Sequence, residues 1–198
     1  MTRIRLDDET ETPASASPNS LIENALFKSR TILLTGGIDF KQARMVSERL
    51  LALSAESNDP ILLVISSPGG HVESGDMIHD MIKFVSAPVK VLGTGWVASA
   101  GALIYSAAKK ENRYSLPNTR YLLHEPRGGV GGQATDVEIQ AREIIKMRER
   151  LNRIFADATG KSLDQIKKDT DRDFWMSAAE AMEYGLVGKI VSHRGEIS

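Results

Sequence analysis

Three residues in this chain have types that could do nucleophilic chemistry together: a serine in an uncharged run, a histidine at the end of an expected strand, and an aspartate in a charged loop. Ser99 lies in Gly95-Trp96-Val97-Ala98-Ser99-Ala100-Gly101, within an uncharged stretch covering residues 91–108. A serine hydroxyl becomes a nucleophile when an imidazole takes its proton and a further group orients that imidazole. The chain has four histidines. His124 follows the strand expected over 119–123, apolar at Tyr121-Leu122-Leu123, and precedes Glu125-Pro126, so it falls at a strand end. His71 adjoins the Gly69-Gly70 turn, His79 falls one turn after Gly75 and is expected on a helix surface, and His193 lies near the end of the chain. Asp173 closes the run Asp169-Thr170-Asp171-Arg172-Asp173 and is one candidate to hold the imidazole. The developing oxyanion needs backbone donors, and the N–H groups of Gly70 and Ala100 are the candidates. Local sequence leaves plain alternatives open. Ser99 suits close helix packing, and the G-x-S-x-G elbow is absent because position 97 is Val. His124 could simply be satisfied by hydrogen bonds at a sheet end, and the acidic run could be a solvated turn.

These residues are useful only if regular elements bring them together. Residues 21–29 suit a short helix, and 31–34 a short strand ended by Gly36-Gly37. Asp39 can cap a helix to about residue 54, with Ala43, Val46, Leu50 and Leu53 on one face. The continuous apolar run 61–65 suits a strand covered on both faces, and Ser67-Pro68-Gly69-Gly70 follows at once. A helix over 72–85, with Met77, Met81 and Phe84 along one side, and a strand over 89–92 complete a βαβ unit. A strand over 119–123 leads to the glycine-rich residues 127–132 and a long helix over 134–158. Val137, Ala141, Ile144, Leu151, Phe155 and Ala158 share one face of it. It exceeds the usual globular helix of about 8–20 residues, as a helix projecting to meet a neighbour would. Ser162 can cap a short helix, Ser177 and Glu180 have capping-box spacing, Gly185 can close that helix, and 187–191 reads as a last strand. Ligands in open α/β sheets bind beyond the carboxyl ends of strands. Gly69-Gly70, Ser99 and His124 each follow such an end.

Composition removes several function classes. The 198 residues suffice for one domain with a core, and a net charge of −1 gives no bulk attraction for nucleic acid. There is no cysteine, which excludes disulfides and thiolate chemistry and fits a reducing compartment. No His-x-x-x-His spacing suggests a metal, and neither glycine run carries a Walker or dinucleotide fingerprint, so no cofactor is expected. The stretch 91–108 is too diluted by glycine, serine and threonine for a membrane span. Residues 1–20 show no secretory signal and read as a disordered arm before one α/β domain over 21–198. The first glycine pair would let a substrate approach the backbone. The second would hold an extended segment pairing with a peptide.

Over roughly residues 30–192 the chain resembles the proteolytic subunit of the Clp protease, a caseinolytic serine peptidase. The resemblance rests on Ser66-Ser67-Pro68-Gly69-Gly70, Gly95 through Gly101, His124-Glu125-Pro126 with Gly128-Gly129, Gly132-Gln133-Ala134-Thr135-Asp136, the acidic run 169–173, Met176 through Ala181, and Tyr184-Gly185-Leu186-Val187. It implies an α/β, ClpP/crotonase-like fold with a long projecting handle helix. It also implies Ser99 as nucleophile, His124 as base, Asp173 as orienting acid, and Gly70 and Ala100 as oxyanion donors. Gly69, Arg127, Gly128 and Gly129 would line the substrate cleft, and Arg172 and Gln133 would serve subunit contacts. The implied assembly is two stacked heptameric rings, with or without a second paralogue, in the cytoplasm. An AAA+ ATP-dependent unfoldase would deliver polypeptide substrate, with no nucleic acid, membrane or cofactor involved. The alternatives are a weakly active or regulatory subunit of a mixed ring and a crotonase-like acyl-CoA enzyme. The chain departs from the family pattern at Leu62 and Val64, where aromatics often line the chaperone groove, at Trp96, and at Glu125 in place of glutamine. The family's N-terminal segment is not recognisable in residues 1–26.

Overall fold

The computed structural model describes residues 18–126 and 131–197, and Arg127, Gly128 and Gly129 lie outside them. The chain opens on α1 (Pro18–Lys28), then β1 (Thr31–Thr35), α2 (Phe40–Glu56), β2 (Ile61–Ser67), α3 (Val72–Phe84), β3 (Val89–Ala98) and α4 (Ala100–Ser106). It continues with β4 (Arg113–Ser115), β5 (Arg120–Leu123), α5 (Ala134–Thr159), α6 (Leu163–Thr170), β6 (Phe174–Ser177), α7 (Ala178–Tyr184) and β7 (Lys189–Ile190). The first helix starts inside the stretch expected to be an arm, because Pro18 suits a first helical position, where no N–H is needed.

The strands form one sheet in the order β1-β2-β3-β4-β7, with β5 also on β3 and β6 on β5. All pairs are parallel except β5–β6. Strand β3 was expected to end at residue 92 and instead runs to Ala98. Its register on β2 shifts between the Ile65↔Gly93 and Ser67↔Val97 pairs. That irregularity turns β3 from β4, which it meets at 91–93, to β5, which it meets at 96–98. Gly93 and Gly95 are thus part of the strand rather than its end. The uncharged stretch 91–108 becomes the end of β3 and α4, and among the described residues no helix is long and apolar enough to cross a membrane.

Local chemistry fixes the helix ends. Asp39 accepts from Gln42 N–H, Ser162 from Gln165 N–H, and Ser177 forms a capping box with Glu180. The backbone and side-chain hydrogen bonds from Ser177 hold the Glu180 carboxyl below its ordinary range. The core gathers Ile32, Leu34, Val46, Leu50, Leu63, Ile65, Val91, Leu103 and Tyr121, all fully or almost fully buried. On α3 the buried face is Ser74, Gly75, Ile78, His79 and Ile82, while Phe84 is exposed. His79, expected on a helix surface, is only 5% exposed, because position 79 follows Gly75 and Ile78 around the inward side.

Candidate active site

The end of β3 delivers Ser99 in an unusual conformation. Its φ is 54° and ψ −120°, one of two positive φ values at non-glycine residues among those described. The residue stops β3 and starts α4 at once, with its N–H donated to Leu122 C=O at 3.0 Å. Ala100 is the first helical residue of α4, a position whose N–H has no partner within the helix.

Gly69 and Gly70 permit the close approach around this turn. A Cβ on Gly69 would lie 2.6 Å from Ser99 Cβ and 3.1 Å from Ser99 Oγ. Gly70 has φ 152°, and a Cβ there would run into the Ile38 carbonyl. Ile38 bonds to both neighbours of Gly70, donating to Gly69 C=O at 2.9 Å and accepting from His71 N–H at 2.8 Å. In a parallel bridge the central residue then turns its own N–H the other way. For Gly70 that way is the β3 side, where Ser99 lies.

His124 and Asp173 meet because β5 and β6 are antiparallel. The ladder pairs Arg120 with Ser177 and ends at Leu123↔Phe174. One step further, the same register sets position 124 opposite 173, and His124 Nδ1 lies 3.2 Å from Asp173 Oδ1. The imidazole is largely buried, with 12% of its side chain exposed against 42% for the carboxylate. Ser99 and His124 line one small pocket whose other walls are apolar: Val72, Ala100, Leu103, Pro126, Leu151 and Phe155.

The remaining candidates fall elsewhere. His71 stands just before α3 without a side-chain capping bond, with Nδ1 2.9 Å from Ser74 Oγ and Nε2 3.2 Å from Glu73. His79 pairs with Asp80 and lines a cavity of about 580 Å3 with Lys83 and Arg113, away from Ser99. The Ser106 hydroxyl there is committed to Leu103 C=O at 2.7 Å. Gln133 and Arg172 are exposed, Gln133 just before α5 and Arg172 bonded to Asp171 C=O at 3.2 Å. Among the described residues no cluster of three or more histidines and acids could hold a metal. Three neighbours of the site have no role that the sequence assigns: Thr170, seen only as part of the acidic run, Asn152 and Arg148. The one signal for them was a polar Asn152 between Leu151 and Phe155 on the apolar stripe of the long helix.

Fold and site together define a crotonase-like α/β protein with a long projecting helix. The Clp protease family profile matches residues 15–194. The ATP-dependent Clp protease proteolytic subunit 2 of Gluconobacter oxydans is 56% identical over 100% of this chain and 94% of its own. The ATP-dependent Clp protease proteolytic subunit 3 of Rhizobium meliloti is 59% identical over 98% of this chain and 100% of its own. Among solved structures, ClpP1 from Listeria monocytogenes superposes with a TM-score of 0.82 at 55% identity, covering 89% of this chain and 99% of that one. The chain belongs to the Clp protease family.

Proposed function

We propose that this protein is the proteolytic subunit of an ATP-dependent Clp protease and hydrolyses peptide bonds as a serine endopeptidase. The observation that carries the mechanism is the His124–Asp173 pair at 3.2 Å, with His124 sharing a pocket with Ser99. His124 takes the Ser99 proton, and Ser99 Oγ attacks the peptide carbonyl. Asp173 holds the imidazole in the tautomer that accepts that proton and stabilises the imidazolium that forms. The N–H groups of Gly70 and Ala100 receive the oxyanion. His124 then returns the proton to the leaving amine, leaving an acyl-serine that water hydrolyses through the same steps. Gly69 lines the cleft in this reading. No step needs a metal or cofactor.

The assembly belongs to the same proposal. Two stacked heptameric rings, in the cytoplasm, receive unfolded polypeptide from a separate AAA+ unfoldase, with Gln133 and Arg172 at subunit contacts. Their exposure in the isolated chain supports such a role. Relatives named as proteolytic subunits of ATP-dependent proteases favour this reading over the acyl-CoA and regulatory-subunit alternatives. The test is hydrolysis of a fluorogenic peptide by wild type and Ser99→Ala at matched assembly state. We expect S99A to lose about a thousandfold or more in kcat. Equal turnover by both proteins would remove Ser99 from the mechanism.

A further inference from the structure

The His124–Asp173 pair sits just past the last pair of the β5–β6 ladder, so something beyond the ladder must keep its two arms together. One hydrogen bond does so: Glu125 N–H donates to Thr170 C=O at 2.9 Å. The pair is bracketed by that bond on one side and Leu123↔Phe174 on the other. Thr170 ends α6 and is itself held from α5. Its hydroxyl lies 2.8 Å from Ile166 C=O and 3.0 Å from the Asn152 side-chain amide. Asn152 and Thr170 are 3% and 1% exposed. A buried polar side chain costs stability unless it finds a hydrogen-bond partner, and across the two helices Asn152 and Thr170 supply one to each other. One turn earlier on α5, Arg148 Nη1 reaches the same segment from outside, 3.1 Å from Glu125 Oε2.

We propose that Asn152 and Arg148 are positioning residues: through Thr170 and Glu125, α5 holds His124 opposite Asp173. The proposal rests on the serine-peptidase reading above. Asn152 and Arg148 act at one remove from the reacting atoms. Loss of the brace lets the imidazole drift from its productive position while the pocket that binds the peptide keeps its walls.

The test compares wild type, Thr170→Val, Thr170→Ser and Arg148→Met as full-length assembled proteins on the fluorogenic peptide. Active sites are counted by labelling with a serine-reactive fluorophosphonate. T170V removes the hydroxyl at nearly constant volume, and T170S keeps it. We expect T170V to lower kcat per labelled site about 10- to 100-fold with KM within about twofold. T170S should return kcat to within about twofold of wild type, and R148M should lower it about two- to threefold. A purely structural bond would lower the Tm and the labelled fraction while leaving kcat per labelled site unchanged, and that result overturns the proposal. If T170V yields no folded protein, R148M decides. A lower kcat at unchanged KM and Tm supports the brace, and wild-type kcat overturns it. Failure of the underlying reading looks different: wild type would take no label at Ser99, and S99A would keep its turnover.

Discussion

The two ends of α5 are built for different surroundings. The carboxyl end carries Leu151, Asn152 and Phe155, all buried, and packs against α4 and α6. The amino end has no buried residue before Leu151. Val137, Ala141, Ile144 and Met147 are half-buried, and Ile139 and Ile145 are 54% and 49% exposed. The apolar stripe is continuous along the helix, but the chain covers only its last part. One helix thus spends its carboxyl end on its own fold and the site, and offers its amino end outward. That division is what a subunit of a larger assembly requires, and it supports the ring contacts proposed above.

Three variants test the contrast. Phe155→Ala strikes the buried end, where a Phe truncated in a packed core costs about 3–5 kcal/mol. We expect a fall in Tm of many degrees at fixed protein concentration, by calorimetry, and weaker turnover because Phe155 also walls the Ser99 pocket. Ile139→Ser with Ile145→Ser strikes the exposed end. Subunit stability should change by about 0.5 kcal/mol or less per site, while sedimentation shows smaller particles. Full-sized particles would mean that the exposed end serves no subunit contact. Arg142→Ala removes the exposed i,i+4 pair with Glu138. Such a pair contributes about 0.3–0.5 kcal/mol, so the urea midpoint should barely move. A larger shift would show that the amino end is braced more firmly than its exposure implies.

What could be read from the sequence follows from how far each residue's partner lies along the chain. The caps at Asp39, Ser162 and Ser177 were legible because donor and acceptor are three residues apart. The long helix was placed to within a residue, since its apolar stripe repeats locally. Strands β4 and β6 were missed because three or four residues carry no readable period. The end of β3 was missed because Gly93 and Gly95 look like breakers and instead serve its bend. At the site, the residue types of Ser99, His124 and Asp173 were legible, but the β5–β6 pairing that sets 124 opposite 173 was not. It depends on segments about fifty residues apart, one of which reads as a charged loop. The Asn152–Thr170 contact was hidden for the same reason, joining two helices across a turn.

The backbone at Ser99 has a consequence for the molecule's stability. A φ of 54° with ψ −120° is territory glycine enters freely and serine does not, at a cost of order 1–3 kcal/mol. Glycine at this position would fit the turn with less strain, offset in part by its greater freedom in the unfolded chain. The surrounding sheet and helix therefore hold a hydroxyl where folding alone has little use for one. Within this turn, thermal robustness and reactivity are opposed, and the chain is built on the side of reactivity.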